Sequence, residues 1–189
     1  MKFINKNIII KTLHCKDLAI SIRQEMPEDY DEVYKLVKVS FATENHAEEP
    51  DYLNNVRTRE TFIPELSLVA QLDSGQIVGQ ITLYETSISY GDKKITQLVL
   101  SPICVLPDYF HRGIASAMIK EGLIIAKKLG YGAVFLWGKP SFYSQFGFVP
   151  TYRYNIRHIQ FGEENVDFIM VKELRDEALH GIEGTINID

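Results

Sequence analysis

Apolar and polar residues alternate over Leu18-Ala19-Ile20-Ser21-Ile22-Arg23, the period of two that marks a half-buried strand. Pro27 and the acids Glu28 and Asp29 follow, residue types that suit the first turn of a helix. That helix is predicted to run to about Phe41 with Val33, Leu36, Val37 and Val39 to Phe41 facing inward. A second, polar helix is predicted over Asp51 to Glu60, a strand over Leu66 to Leu72, and a tight turn at Asp73-Ser74-Gly75. Ile77 to Ser89 reads as a longer strand in which Gly79 is a candidate bulge. Gly91-Asp92 then turns the chain into Ile95 to Val105, completing an antiparallel hairpin array. Ahead of all this, residues 1–17 mix Lys, Asn and short apolar runs without a helical period and read as an arm or edge strand.

The pattern changes after Val105. Ala115 to Leu129 has helical periodicity, carries Lys127 and Lys128 in its last turn, and is stopped by Gly130 at a C-cap position. Ala133 to Trp137 is a short apolar strand. Strand, helix and strand of these lengths form a βαβ crossover, so the strands near Ile95 and Ala133 are expected to be parallel and joined right-handedly. The sheet is therefore mixed, and the fold class α+β. Lys139 to Phe146 reads as a short helix or turn, and Tyr152 to Val171 as one or two further antiparallel strands.

Length and composition narrow the function. A chain of 189 residues, 46% hydrophobic and 24% charged, can bury a sizeable core and fits a single domain over 18–189 behind the arm. A formal charge of -5 and no dense basic run argue against nucleic acid as the main ligand, while a cationic small substrate is tolerated. Cys15 and Cys104 lack the spacing of a disulfide scaffold or zinc site, and the histidines have no metal-ligand spacing, so no metal is expected and a reducing cytoplasm is the simplest compartment. Ile8-Ile9-Ile10 is too short for a signal-peptide core and no apolar stretch reaches membrane length, so a soluble, cytoplasmic protein without membrane contact is expected. A homodimer stays open.

The densest chemical signal is Pro107-Asp108-Tyr109-Phe110-His111-Arg112-Gly113-Ile114-Ala115-Ser116, between a predicted strand and a helix. Such a loop gathers backbone N–H groups at the positive end of a helix dipole, which suits a phosphate or pyrophosphate. Gly113 and Ala115 are small enough for a ligand to reach the backbone; equally, they serve tight strand-to-helix packing. The loop is not a P-loop, since no Gly-Lys-Ser/Thr follows, and lacks the three-glycine dinucleotide fingerprint.

These residues resemble the GNAT superfamily of acetyl-CoA-dependent N-acetyltransferases, in a bacterial branch of predicted acetyltransferases. Its pattern is Val-x-Pro closing a strand, (Gln/Arg)-x-x-Gly-x-(Gly/Ala) opening a helix, then a second strand and Tyr-x-x-x-Gly-Phe. This chain has Val105-Leu106-Pro107, Phe110 to Ala115, and Tyr143-Ser144-Gln145-Phe146-Gly147-Phe148 in the same order and spacing. The resemblance implies a mostly antiparallel sheet splayed between the strands ending at Val105 and Trp137. It further implies acetyl-CoA as cosubstrate, its pantetheine arm on the backbone of Ile103 and Val105 and its pyrophosphate on the amides of Phe110, His111, Arg112, Gly113, Ile114, Ala115 and Ser116. Phe110 stands where the family has Gln or Arg, removing a polar side chain while keeping an N–H. His111 and Arg112 either compensate or are solvated. Gly138 and Lys139 occupy the region where many relatives carry an Asn on CoA.

The implied reaction is direct acetyl transfer to a primary amine, small or on a protein, in a ternary complex. Tyr143 matches the position proposed to protonate the departing thiolate; the competing reading is a packed tyrosine. No Asp or Glu lies between Ile95 and Val105, the strand from which several relatives present a base. Glu85 on the preceding strand is the candidate base, against a solvated glutamate or deprotonation by water. Acceptor recognition would fall to the first two helices, where Glu44, His46, Glu48, Glu49 and Asp51 either attract an ammonium or form a solvated face. Cys104 reads as a small core residue, and Trp137 as either cleft or core. The alternative function is a non-catalytic acyl-CoA sensor or interaction module on the same fold.

Overall fold

A computed structural model describes residues 8–15, 18–42, 47–160 and 166–188. The chain forms two compact units, Met1–Leu83 with Ser101–Ile125, and Tyr84–Leu100 with Ala126–Asp189.

In the first unit, β1 (Ile9–Cys15) pairs antiparallel with β2 (Leu18–Gln24), and β2 with β3 (Phe62–Leu72). β1 covers Ile9–Cys15 of the segment read as an arm or edge strand; residues 1–7 and 16–17 lie outside the described residues. Alternation along β2 buries Ile20 and Ile22 completely, opposite Leu72 and Ala70. β4 (Ile77–Tyr90) begins here and β5 (Lys93–Val105) ends here, joined near their tips by the Leu106 N–H donating to the Val78 carbonyl at 2.9 Å.

A 3-10 turn over Pro27–Asp29 leads into α1 (Tyr30–Ser40), and α2 spans Glu49–Thr58. Val33, Leu36 and Val37 of α1 join Leu53 of α2 and Val69, Ile77 and Cys104 of the sheet in one buried cluster, with Phe41 packed against it. Each of the aliphatic side chains contributes roughly 1.5–3 kcal/mol by leaving water. Val39 departs from the expected inward face and is 55% exposed. It lies two residues beyond Val37, about 200° round a 3.6-residue helix, and so points away from the cluster. Two buried ion pairs tie the helices to the sheet. Arg23 donates to both Asp29 oxygens at 2.6 and 2.9 Å. Arg57 donates to Glu25, whose Oε2 also accepts the Ser67 hydroxyl at 2.7 Å.

α3 (Ile114–Lys128) follows β5. Gly79 of β4 is where it comes closest: a Cβ there would lie 2.9 Å from the Met118 methyl and 3.3 Å from Ile114 and Ala70. What the structure shows at the candidate bulge position is therefore this close helix approach. At the far end Gly130 adopts φ +95° and donates to Lys127 O at 3.1 Å, closing the helix as its position predicts.

In the second unit β6 (Ala133–Trp137) pairs parallel with β5 through Leu98↔Val134 and Val99↔Phe135, the two strands of the βαβ crossover. α4 (Pro140–Tyr143), β7 (Val149–Pro150), β8 (Ile156–His158), β9 (Ile169–Glu173) and β10 (Gly184–Ile186) complete it. β9 runs antiparallel to β6 and β7, while β10 pairs antiparallel with β4 and parallel with β8. The sheet is mixed and mostly antiparallel, an α+β arrangement. β10 was not anticipated, and the β8–β10 pair departs from the antiparallel expectation. Three residues are too short to alternate legibly, and only their partners make them strands. Among the described residues no helix is long and apolar enough to cross a membrane.

Candidate active site

The loop before α3 is set by backbone conformation. Tyr109 and Phe110 N–H donate to Leu106 and Pro107 carbonyls at 2.9 and 3.0 Å, forming a 3-10 turn. Then His111 and Gly113 both take left-handed φ, +59° and +77°. Ala117 N–H donates to Gly113 O at 3.0 Å, so the amides of Ile114, Ala115 and Ser116 precede the first intrahelical bond and form the positive end of α3. A Cβ on Gly113 would meet nothing within 4 Å, so the loop side of this residue is open to an approaching group. Ile114 is 1% exposed and anchors the helix start in the core.

The Phe110 N–H thus has an internal partner in Pro107 O. Phe110 itself is 51% exposed, edge-on to His111 at 6.4 Å, and Arg112 folds back over the Tyr109 ring at 5.4 Å with its Nη2 3.4 Å from Asp108 O.

Ile103 is half-buried and Val105 buried on the last stretch of β5, and the Val105 carbonyl accepts the Ser40 hydroxyl at 3.3 Å. Cys104 between them faces the α1 cluster, and burial pushes its thiol up to about 12, outweighing the hydrogen bond from Ser40. Such a thiol is an inert core group at neutral pH. Of the acidic residues near the helices, Glu44 and His46 lie outside the described residues. Glu48 is exposed, Glu49 half-buried, and Asp51 accepts the Tyr34 hydroxyl at 3.1 Å. Among the described residues, a groove of about 680 Å³ is lined by Tyr30, Tyr34, Asn54 and Arg57 of α1 and α2.

In the second unit Tyr143 closes α4, its N–H donating to Lys139 O at 3.1 Å. Its ring meets Phe142 edge-on at 5.0 Å and Phe148 at 5.9 Å. Burial of the ring raises its phenol pKa to about 12, so the hydroxyl keeps its proton throughout the neutral range. Gly147 explains the glycine of the Tyr-x-x-x-Gly-Phe motif. With φ +84° it ends a 3-10 turn through its N–H to Ser144 O and lets Phe148 bury to 1% exposure. Trp137 is not core: it is 42% exposed and stacked on Phe168 at 5.9 Å.

Glu85 is half-buried on β4, and its Oε1 accepts the Tyr131 hydroxyl at 2.5 Å. His158 is buried between two backbone amides, Gln160 N lying 3.1 Å from Nδ1 and Ile188 N 3.3 Å from Nε2, and the neutral ring accepts from one of them. No cluster of potential metal ligands occurs among the described residues.

The sequence pattern of the acetyltransferase (GNAT) domain matches residues 21–151, more than half of the chain. The chain belongs to the GNAT acetyltransferase family. The uncharacterised N-acetyltransferase YhbS of Escherichia coli K12 is 30% identical over 165 residues, covering 87% of this chain and 93% of that protein. A crystal structure of Escherichia coli YhbS in complex with CoA aligns with a TM-score of 0.79 at 26% identity, over 93% of this chain and 92% of that one. A GNAT family acetyltransferase of Brucella melitensis in complex with acetyl-CoA aligns at 0.70 and 23% identity, over 89% and 94%, a likeness of fold.

In this GNAT domain the sequence pattern singled out the loop at Gly113 and Tyr143 as candidates, and carried no sign of several long-range contacts. The Tyr131 bond to Glu85 had no signal, because the two are 46 positions apart. Gly138, noted only as a departure at an Asn position, carried the cue of a Gly-Lys-Pro breaker after a strand, which says that the chain turns but not what fills the space.

Proposed function

We propose that this protein is an N-acetyltransferase that moves an acetyl group from acetyl-CoA directly to a primary amine. The observation carrying this reading is the loop at Gly113: two left-handed residues and open space in front of amides that precede the first bond of α3. That is a backbone cradle for a pyrophosphate. CoA in the YhbS crystal structure and acetyl-CoA in that of the Brucella protein support the same ligand. In the proposal the amides of His111 to Ser116 take the pyrophosphate, and the backbone of Ile103 and Val105 takes the pantetheine arm.

The amine nitrogen attacks the thioester carbonyl carbon, the C–S bond breaks, and the thiolate takes the Tyr143 proton. The amine's surplus proton passes to Glu85 or to water. Tyr143 carries its proton at neutral pH, the state a donor needs, while its pKa of about 12 makes it a weaker acid than an ordinary phenol. Glu85 has the weaker support, since its carboxylate already accepts the Tyr131 hydroxyl.

A second reading has specific observations in its favour. Phe110 replaces a polar side chain, and β5 offers no carboxylate between Ile95 and Val105, so an acyl-CoA sensor without turnover is the rival. Free-thiol release from acetyl-CoA over a broad amine panel, run beside calorimetric binding of acetyl-CoA, decides between them. Amine-dependent thiol release establishes the transferase. Binding without turnover over the whole panel favours the sensor, and no binding removes both.

A further inference from the structure

We infer that Gly138 is a positioning residue for Tyr143, the empty space at its Cα setting where the phenol points; this rests on the reading of Tyr143 as proton donor. Gly138 directly follows β6, and its N–H donates to Phe168 O at 2.8 Å, extending the β6–β9 pairing by one residue beyond Trp137↔Ile169. Its backbone is therefore fixed by the sheet. Five residues on, Tyr143 is fixed as well, because both it and Phe142 donate their N–H to Lys139 O. Between these two anchored points the Tyr143 ring lies against Gly138. A Cβ there would overlap the ring at Cε2 and sit 2.6 Å from Cδ2, and 3.1 Å from Leu136 Cδ1.

Glycine is not needed for backbone conformation here. Gly138 is absent from the positive-φ glycines, which include Gly113, Gly130 and Gly147, so alanine is sterically open to the main chain. What alanine cannot do is share space with the ring. Nor can the ring yield cheaply, being a rigid plate held edge-on by Phe142 and Phe148, the latter 1% exposed. A methyl at position 138 must lever the ring by about an ångström to restore van der Waals separation, and the hydroxyl at its far end moves with it. Misplacement on that scale costs up to about 10²-fold in a reaction that depends on aim.

The test is a cycle of Gly138→Ala, Tyr143→Phe and the double variant, with kcat, KM for acetyl-CoA, thermal stability, and NMR of ¹³Cζ-labelled tyrosine, the Tyr143 signal being the one missing from Tyr143→Phe. Gly138→Ala is expected to lower kcat about 10- to 10²-fold with KM for acetyl-CoA unchanged, and to move the Tyr143 titration from about 12 down toward 10 as the ring is pushed toward solvent. In the Tyr143→Phe background the same alanine meets the same ring but removes no aimed proton, so it should lower Tm equally and kcat no further. An equal loss of kcat in both backgrounds, or an unmoved Tyr143 signal in Gly138→Ala, overturns the inference. A moved signal with Tyr143→Phe fully active leaves the positioning intact and removes the proton-donor reading. Should Gly138→Ala fold too poorly to assay, Gly138→Ala with Tyr143→Leu must regain stability, and failure to do so overturns the steric argument.

Discussion

The loop at Gly113 and the ring at Tyr143 are built by opposite means. At the loop, geometry resides in backbone dihedrals: left-handed His111 and Gly113, with Phe110 exposed and Arg112 turned back onto Tyr109. At the ring it resides in packing: edge contacts to Phe142 and Phe148, a turn ended by Gly147, and contact with the bare Cα of Gly138. A site made of amides tolerates exchange of its side chains, whereas an aimed side chain makes its neighbours matter. On the proposed reading, Phe110 can stand in for a polar residue because the cradle is made of amides.

The sharpest way to break this contrast is Gly113→Trp. A bulky residue at φ +77° is strained by about 1–3 kcal/mol and fills the open approach to the amides. Acetyl-CoA should no longer raise Tm, whereas the parent gains stability by mass action. A folded variant with unaltered affinity by calorimetry would show that the cradle lies elsewhere.

Tyr143→Phe comes next. The ring still packs and only the proton goes, so acetyl-CoA affinity should hold while kcat falls roughly 10- to 10³-fold, the thiolate being a tolerable leaving group. Normal turnover under conditions where chemistry limits the rate would make Tyr143 a packing residue. Its pKa near 12 has a signed consequence. Raised from an ordinary value near 10, it contributes stability that is complete below pH 10 and lost as pH rises through 12. In stability measured between pH 9 and 12, Tyr143→Phe should remove part of the alkaline decline, and kcat of the parent should show no falling limb from this group below pH 10.

Glu85→Gln is expected to be milder, about tenfold or less in kcat/KM near neutrality and partly recovered at higher pH, where more of the amine is already neutral. Equal loss at every pH would make the Tyr131–Glu85 bond structural. Smallest of all, Phe110→Ala and Arg112→Ala should each change acetyl-CoA affinity by less than about threefold, because neither side chain shapes the amides. A large loss from either would show that the loop works through side chains after all.

Legibility in the sequence followed the same division. β6 was readable as Ala133 to Trp137, and α3 to within a residue at each end, because both are dense periodic segments bounded by glycines. Gly113 and Gly147 stood out as members of short motifs, and the left-handed φ each takes, +77° and +84°, is one that glycine adopts without strain. Gly138 was not, since its requirement comes from a ring five positions away. Glu25 and Arg57 likewise form a buried pair 32 positions apart that no local pattern announces.

The amino-acid order alone determined the long elements, the parallel crossover and the position of the glycine-containing turn before α3, since periodicity, capping and helix polarity act over a few neighbouring residues. Tertiary structure decided that Val39 faces water, that Phe110 has already spent its N–H, that Glu85 is held by Tyr131, and that the Tyr143 ring rests on Gly138. These depend on which distant atoms compete for one volume or one hydrogen bond, and that competition exists only once the chain has closed on itself.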